Sequence, residues 1–213
     1  MNYLQIINKV MIRLREDEEQ DLSAGYTKLI GEFVNEAKRE VEDAWNWVQL
    51  RDTIQVTTIA DTLRYTLTGS GKRSQILYVV NDTDNYEVQK ANGKWMTMQL
   101  TTSTTTNGQP SYYDVNGTTG GDYNVDLFPI PDGAYAINFN MKIPQDDLAA
   151  ITDELIVPEY PVILAAYAKA ISERGEDSGI AYRDALVNAE KALSDAIAYD
   201  STYVPSELIW EVV

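Results

Sequence analysis

The chain has 213 residues, 44% of them hydrophobic and 23% charged, too apolar for a disordered protein and long enough for one domain or one domain carrying a large insertion. Lys and Arg number 17 against 33 Asp and Glu, giving a formal charge of −16, and there is neither His nor Cys. That composition excludes a Ser-His-Asp or Cys-His nucleophile, a Cys/His zinc site, a thiolate-bound cluster, a His- or Cys-ligated haem and any disulfide.

The acid excess is spread unevenly. Residues 1–50 carry −4, 51–100 carry +1, 101–150 carry −5 and 151–213 carry −8. No segment forms a basic patch, so tight binding to nucleic acid is not expected. No run approaches the roughly 18 apolar residues of a membrane-spanning helix. Charges recur every few residues through Met1–Glu16, unlike a signal peptide, so the expectation is a cytosolic chain with no membrane partner.

In chain order, Leu4, Ile7, Met11 and Leu14 recur at helical spacing, and Ile6 and Val10 widen that face. The acidic stretch Glu16–Asp21 then reads as a solvated helix end. A second helical pattern covers 26–50 through Ile30, Phe33, Ala37, Val41, Ala44 and Val48, with the pairs Glu36–Glu40 and Lys38–Glu42 placed on its outer face. It ends in Trp45-Asn46-Trp47. Side chains two residues apart cannot share a helical face, so one indole is expected in the core and the other against another layer or partner.

At Thr53 the period changes to two. Alternating, β-branched stretches predict strands at 53–59, 63–67, 75–80, 86–89, 95–100, 111–115, 123–128 and 135–143. Gly69-Ser70-Gly71 and Pro129–Gly133 read as turns, and the Thr-rich stretch 101–108 as a loop tip. Frequent turns between short strands argue for an antiparallel sandwich or barrel. After Pro144 the helical period returns. Pro158 and Pro161 open one helix, which stops near Gly175. A last helix covers 179–199, its apolar face made of Tyr182, Leu186, Ala189, Leu193 and Ala196.

The expected fold class is therefore α+β. Residues 1–52 and 144–200 would form a four-helix bundle-like α domain, 53–143 an inserted β-sandwich or barrel module, and 201–213 an extended C-terminal tail. In that tail five of the six residues 208–213 are apolar. Such a segment needs somewhere to bury itself, in its own domain, a neighbouring subunit or a partner. Val204, Leu208, Ile209, Trp210, Val212 and Val213 are the candidate docking residues. Trp45, Trp47, Tyr112 and Tyr113 are candidate contacts to another subunit or a tail component.

Chemistry-bearing motifs are weak. Gly69-Ser70-Gly71-Lys72 resembles the end of a phosphate loop, but Thr66 stands where the earlier Gly is required and Arg73 follows the Lys. Asp146-Asp147 and Asp153-Glu154 are adjacent acids with no catalytic or cation-binding spacing. No catalytic residue, metal ligand or cofactor site is expected, and the chain reads as a non-enzyme.

The order of these pieces resembles the head-to-tail adaptor, or connector, proteins of tailed bacteriophages. The likeness lies in Ala44–Ile54, which closes the long helix and enters the first strand, in Asp61–Leu67, in Lys72–Val80, and in Pro158–Ala168, which opens the C-terminal helices. In layout it covers about residues 20–200. It implies a structural virion protein, made in the host cytoplasm and placed at the head-tail junction. It further implies a homo-oligomeric ring, typically dodecameric, between portal protein and a tail or nozzle protein. The ring would line a channel through which DNA passes without specific binding. Competing readings are another virion part such as a tail-tube or baseplate component, a glycan-binding module using the tyrosines of the β segment, and a carboxylate hydrolase.

Overall fold

The structure, a computed structural model, describes residues 1–101, 107–175 and 179–203. It is α+β and divides into two compact units, a helical one of residues 1–50 joined by those from Gln145 onward, and a β unit of Arg51–Pro144.

In the helical unit, α1 (Tyr3–Arg13) begins with a capping box. The Gln5 amide N–H donates to Asn2 Oδ1 (2.9 Å) and the Asn2 amide N–H to Gln5 Oε1 (3.1 Å), satisfying two otherwise orphaned donors. α2 (Gly25–Ala44), α4 (Glu159–Glu173) and α5 (Ile180–Asp200) complete it. α4 is the hub, packing on α1, α2 and α5. Its buried set Pro161–Leu164, Ala166, Ala168, Ala170 and Ile171 runs nearly around the helix, as a helix enclosed on several sides requires. With Ile6, Ile7, Val10, Ile30, Val34 and Trp47, the α4 residues Val162, Ile163, Ala166, Ala168, Ala170 and Ile171 form one hydrophobic cluster.

Helices α1 and α2 approach closely at Gly31. A Cβ added there would overlap the Tyr3 hydroxyl. That hydroxyl accepts a hydrogen bond from Asn35 Nδ2 (3.3 Å), and burial, with Glu32 and Asp147 nearby, pushes the phenol up to about 12. Gly31→Ala would ordinarily improve a helix interior by about 1 kcal/mol. Here we expect a net loss of about 1–3 kcal/mol from overpacking. Tyr3→Phe removes the overlapping oxygen, so urea denaturation of the double variant should show most of that loss recovered. An unrecovered loss would place the strain elsewhere.

The β unit holds two four-stranded sheets, β1-β8-β3-β4 and β2-β7-β6-β5. The strands are β1 (Arg51–Thr57), β2 (Arg64–Thr66), β3 (Gln75–Asn81), β4 (Tyr86–Glu87), β5 (Gln89–Lys90), β6 (Tyr112–Thr119), β7 (Asp122–Phe128) and β8 (Ala136–Lys142). β8 is central to its sheet. Its inward residues Ile137, Phe139 and Met141 are fully buried, in a cluster shared with Tyr65, Leu67, Val125 and Leu127 of the other sheet. The turn after β2 needs the left-handed region at Gly69 (φ +89°) and Gly71 (φ +66°). It is pinned by Tyr123 N–H to Ser70 Oγ (2.9 Å) and Gly71 N–H to Asp122 Oδ1 (3.0 Å), a turn spent on hydrogen bonds within the unit.

Several expectations are corrected. No barrel closes among the described residues, and the second sheet is mixed, because β5 pairs with β6 in parallel. The stretch expected as a strand at 95–100 is a helix, α3 (Gly93–Thr101). Asn92 initiates it, its Oδ1 accepting from Lys94 N–H (2.9 Å), and Met, Gln and Leu are good helix formers. Helix α2 stops at Ala44 rather than running to 50. Trp45 is extended (φ −149°, ψ 160°), and a 3₁₀ turn covers Val48–Leu50. Lys38 and Glu42, placed by the helical pattern on the outer face, are wholly buried.

Candidate functional site

The two tryptophans after α2 part company. Trp47 is fully buried, and its Nε1 donates to the Val41 carbonyl (2.6 Å), one of the last carbonyls of α2, which have no partner within the helix. It therefore offers no surface as the unit stands. Trp45 is half-buried and reaches α5, its Nε1 donating to Asp200 Oδ2 (2.9 Å). Val48 N–H donates to the same oxygen (3.3 Å). Asp200 is the last residue of α5, where the helix dipole disfavours a carboxylate. These two donors hold the buried side chain in place and fix the point from which the chain leaves α5.

Tyr112 and Tyr113 lie on opposite faces of β6, as strand alternation demands. Tyr113 is buried edge-on against Phe139 (centroids 6.0 Å apart, 88° between planes). Burial, with Glu87 nearby, raises its phenol pKa. Tyr112 stays half-exposed. Trp95 of α3 packs edge-on against it (5.0 Å) and against Phe128 (5.6 Å), and Met98 of the same helix is 60% exposed. Of the candidate contacts, Trp45 and Tyr112 thus retain surface within their separate units. The predicted docking residues Val204, Leu208, Ile209, Trp210, Val212 and Val213 lie outside the described residues.

One acid of each adjacent pair does structural work. Asp147 forms a two-pronged pair with Arg39, with Nε to Oδ1 at 3.0 Å. Asp153 Oδ2 accepts the amides of Ala149 and Ala150 (2.8 Å each), and these hold its carboxyl below the usual carboxylate range. Among the described residues no group of three or more acids is placed to hold a metal ion, and no helix is long and apolar enough to cross a membrane.

Two features escaped sequence reasoning. The first is a polar line inside α2 at helical spacing. Asn35 Oδ1 accepts from Leu148 N–H (2.9 Å) and Asn35 Nδ2 donates to Leu148 O (3.1 Å). Lys38 Nζ donates to Glu42 Oε1 (3.1 Å) and to Gln145 O (2.6 Å), and Glu42 Oε1 also accepts from Gln145 N–H (3.2 Å). This line straps the irregular segment 145–148 onto the helix. The signal available was three polar residues, Asn35, Lys38 and Glu42, spaced 3 and 4 apart among α2's apolar ones. The second is a cleft of about 640 Å³ between α2 and α5, floored by α4. Its walls include Phe33, Tyr182, Leu186 and Leu193; Tyr182 and Leu193 also pack against the core, while Leu186 is exposed.

The two units thus carry separate cores, Asp147 and Asp153 serve local structure, and Trp45, Tyr112 and Trp95 keep part of their surface exposed. The family model described as SU10 adaptor protein matches residues 1–206, and the chain belongs to that family of phage head-to-tail adaptors. It is thus a structural phage protein. No curated protein matches it.

Proposed function

We propose that the chain is a subunit of a homo-oligomeric ring, dodecameric in the usual arrangement, seated between portal protein and tail or nozzle at the head-tail junction of the virion. The observation that carries this reading is the family match over residues 1–206. In this reading residues 1–52 and 144–200 work as a four-helix bundle, 53–143 as an inserted sandwich and 201–213 as an extension. The single hydrophobic cluster within each unit supports that division. The tail residues Val204, Leu208, Ile209, Trp210, Val212 and Val213 dock into the portal, and Trp45 and Tyr112 face a neighbour or tail component. A surface carrying −16 per copy lets DNA pass without gripping it. The role is mechanical and needs no catalytic residue or cofactor.

The test is a pull-down from infected cells with the full-length chain and with a chain lacking residues 204–213, captured proteins being identified by mass. Capture of a portal-sized virion protein by the full-length bait, with a loss of at least tenfold in the truncated one, is the expected result. Equal capture by both would move the portal contact to the helices or the β unit. Capture of tube or baseplate proteins alone would favour a different tail component. Capture of no virion protein would overturn the adaptor reading.

A further inference from the structure

Copies carrying −16 each repel one another, so they can meet only where local charge and shape are complementary. The helical unit carries two such surfaces. One is the cleft between α2 and α5. Its walls are apolar, and its rim holds Glu36, Glu40, Glu173 and Glu190 against the single cation Lys169. Lys169 is already committed, 2.8 Å from Glu40 and 3.4 Å from Glu36. The cleft therefore asks for an apolar side chain flanked by unpaired cations.

The other surface is the outer face of α1, which lines no part of the cleft. Ile12 is 53% exposed there. Exposed Lys9, Arg13 and Arg15 surround it, and none of the three has an ion-pair partner among the described residues. Of the neighbouring acids, Glu16 is taken by Arg174 (2.5 Å). The Glu19 backbone is folded onto Asn8, leaving Glu18 at the patch border. The chain's own tail suits the cleft poorly, since residues 204–213 carry Glu207 and Glu211 and no cation.

The geometry points to a heterologous contact between copies, in which Ile12 of one subunit enters the α2–α4–α5 cleft of the next. Lys9 and Arg13 then lie against Glu36, Glu40, Glu173 and Glu190. The inference rests on the ring reading above and names the surfaces that close it. A head-to-tail contact between two different patches is the kind that generates rings. It also covers Leu186, the exposed apolar residue in the α5 wall of the cleft.

Because the chain has no native Cys, the contact can be trapped cleanly. Ile12→Cys and Ala189→Cys full-length proteins are mixed at high concentration and treated with a short bismaleimide. Sedimentation is followed in parallel. Expected is a 12–189 cross-linked dimer, reduced at least tenfold by 1 M salt or by Lys9→Glu/Arg13→Glu, and restored by pairing that variant with Glu36→Lys/Glu40→Lys. Oligomers that form without the 12–189 link, or only symmetric 12–12 or 189–189 links, would overturn the contact and leave the ring standing. A chain that stays monomeric and unlinked throughout would overturn the contact too. The adaptor reading would then rest on the portal capture, which does not depend on contact between copies.

Discussion

Replacing Lys38 by Met should cost about 3–5 kcal/mol, among the largest losses available to a single substitution in this chain. Lys38 and Glu42 both have fully buried side chains, 3.1 Å apart. Met matches the length of Lys but removes the cation 3.1 Å from the buried Glu42 carboxylate, and the Gln145 carbonyl loses its donor. Glu42→Gln keeps an acceptor for Gln145 N–H and keeps Lys38 on Gln145 O, so a smaller loss of about 1–2 kcal/mol is expected. The double variant Lys38→Met/Glu42→Leu removes both charges. It should lie above Lys38→Met in stability and below the parent, because the Gln145 amide and carbonyl still lose partners. Urea midpoints followed by helical circular dichroism rank the four proteins. A loss under about 1 kcal/mol for Lys38→Met would show the pair to be solvated and the strapping of 145–148 to lie with Asn35 alone.

These strap residues show where sequence legibility stops. α1 and α4 were readable because their apolar spacing and, for α4, the opening prolines are local. The burial of Lys38 and Glu42 is set by Gln145, more than a hundred residues away in the chain, and an i, i+4 Lys–Glu pair looks the same in sequence whether it faces water or backbone. The misreading of 95–100 has a local cause. Met96, Met98 and Leu100 alternate like a strand, whereas the deciding feature is the Asn92 cap. α5 was found, and Tyr182, Leu193 and Ala196 of its expected face pack against the core, but its most buried positions were not. It buries Ala185 and Ala192, whose small side chains give a weak apolar signal, while Leu186 remains 38% exposed. At the candidate contacts, the expected divergence of Trp45 and Trp47 is observed, though past the end of α2, whereas Tyr112 and Tyr113, both expected as contacts, are split by strand alternation. Which member turns inward depends on the core, and period alone carries no sign.

Trp47 turns inward, and that assignment has a measurable consequence. Trp47→Ala deletes the largest fully buried side chain among the described residues and strands the Val41 carbonyl at the end of α2. Cavity and transfer terms for a buried aromatic amount to about 3–5 kcal/mol. Trp47→Phe retains much of the volume and loses mainly the 2.6 Å hydrogen bond, so about 1–2 kcal/mol is expected. Trp45→Phe, by contrast, removes one of two donors to Asp200 from a half-buried ring and should cost no more than Trp47→Phe. Capture of virion proteins separates packing from contact. With binding normalised to folded protein, Trp47→Phe should capture as the parent does, since the indole reaches no partner. If Trp45 faces a neighbour or tail component, Trp45→Phe should lose capture of that partner at a stability near the parent's. Lost capture by folded Trp47→Phe would mean that docking opens the α2 exit and draws Trp47 out of the core. The corner from which the chain leaves α5 would then move during assembly.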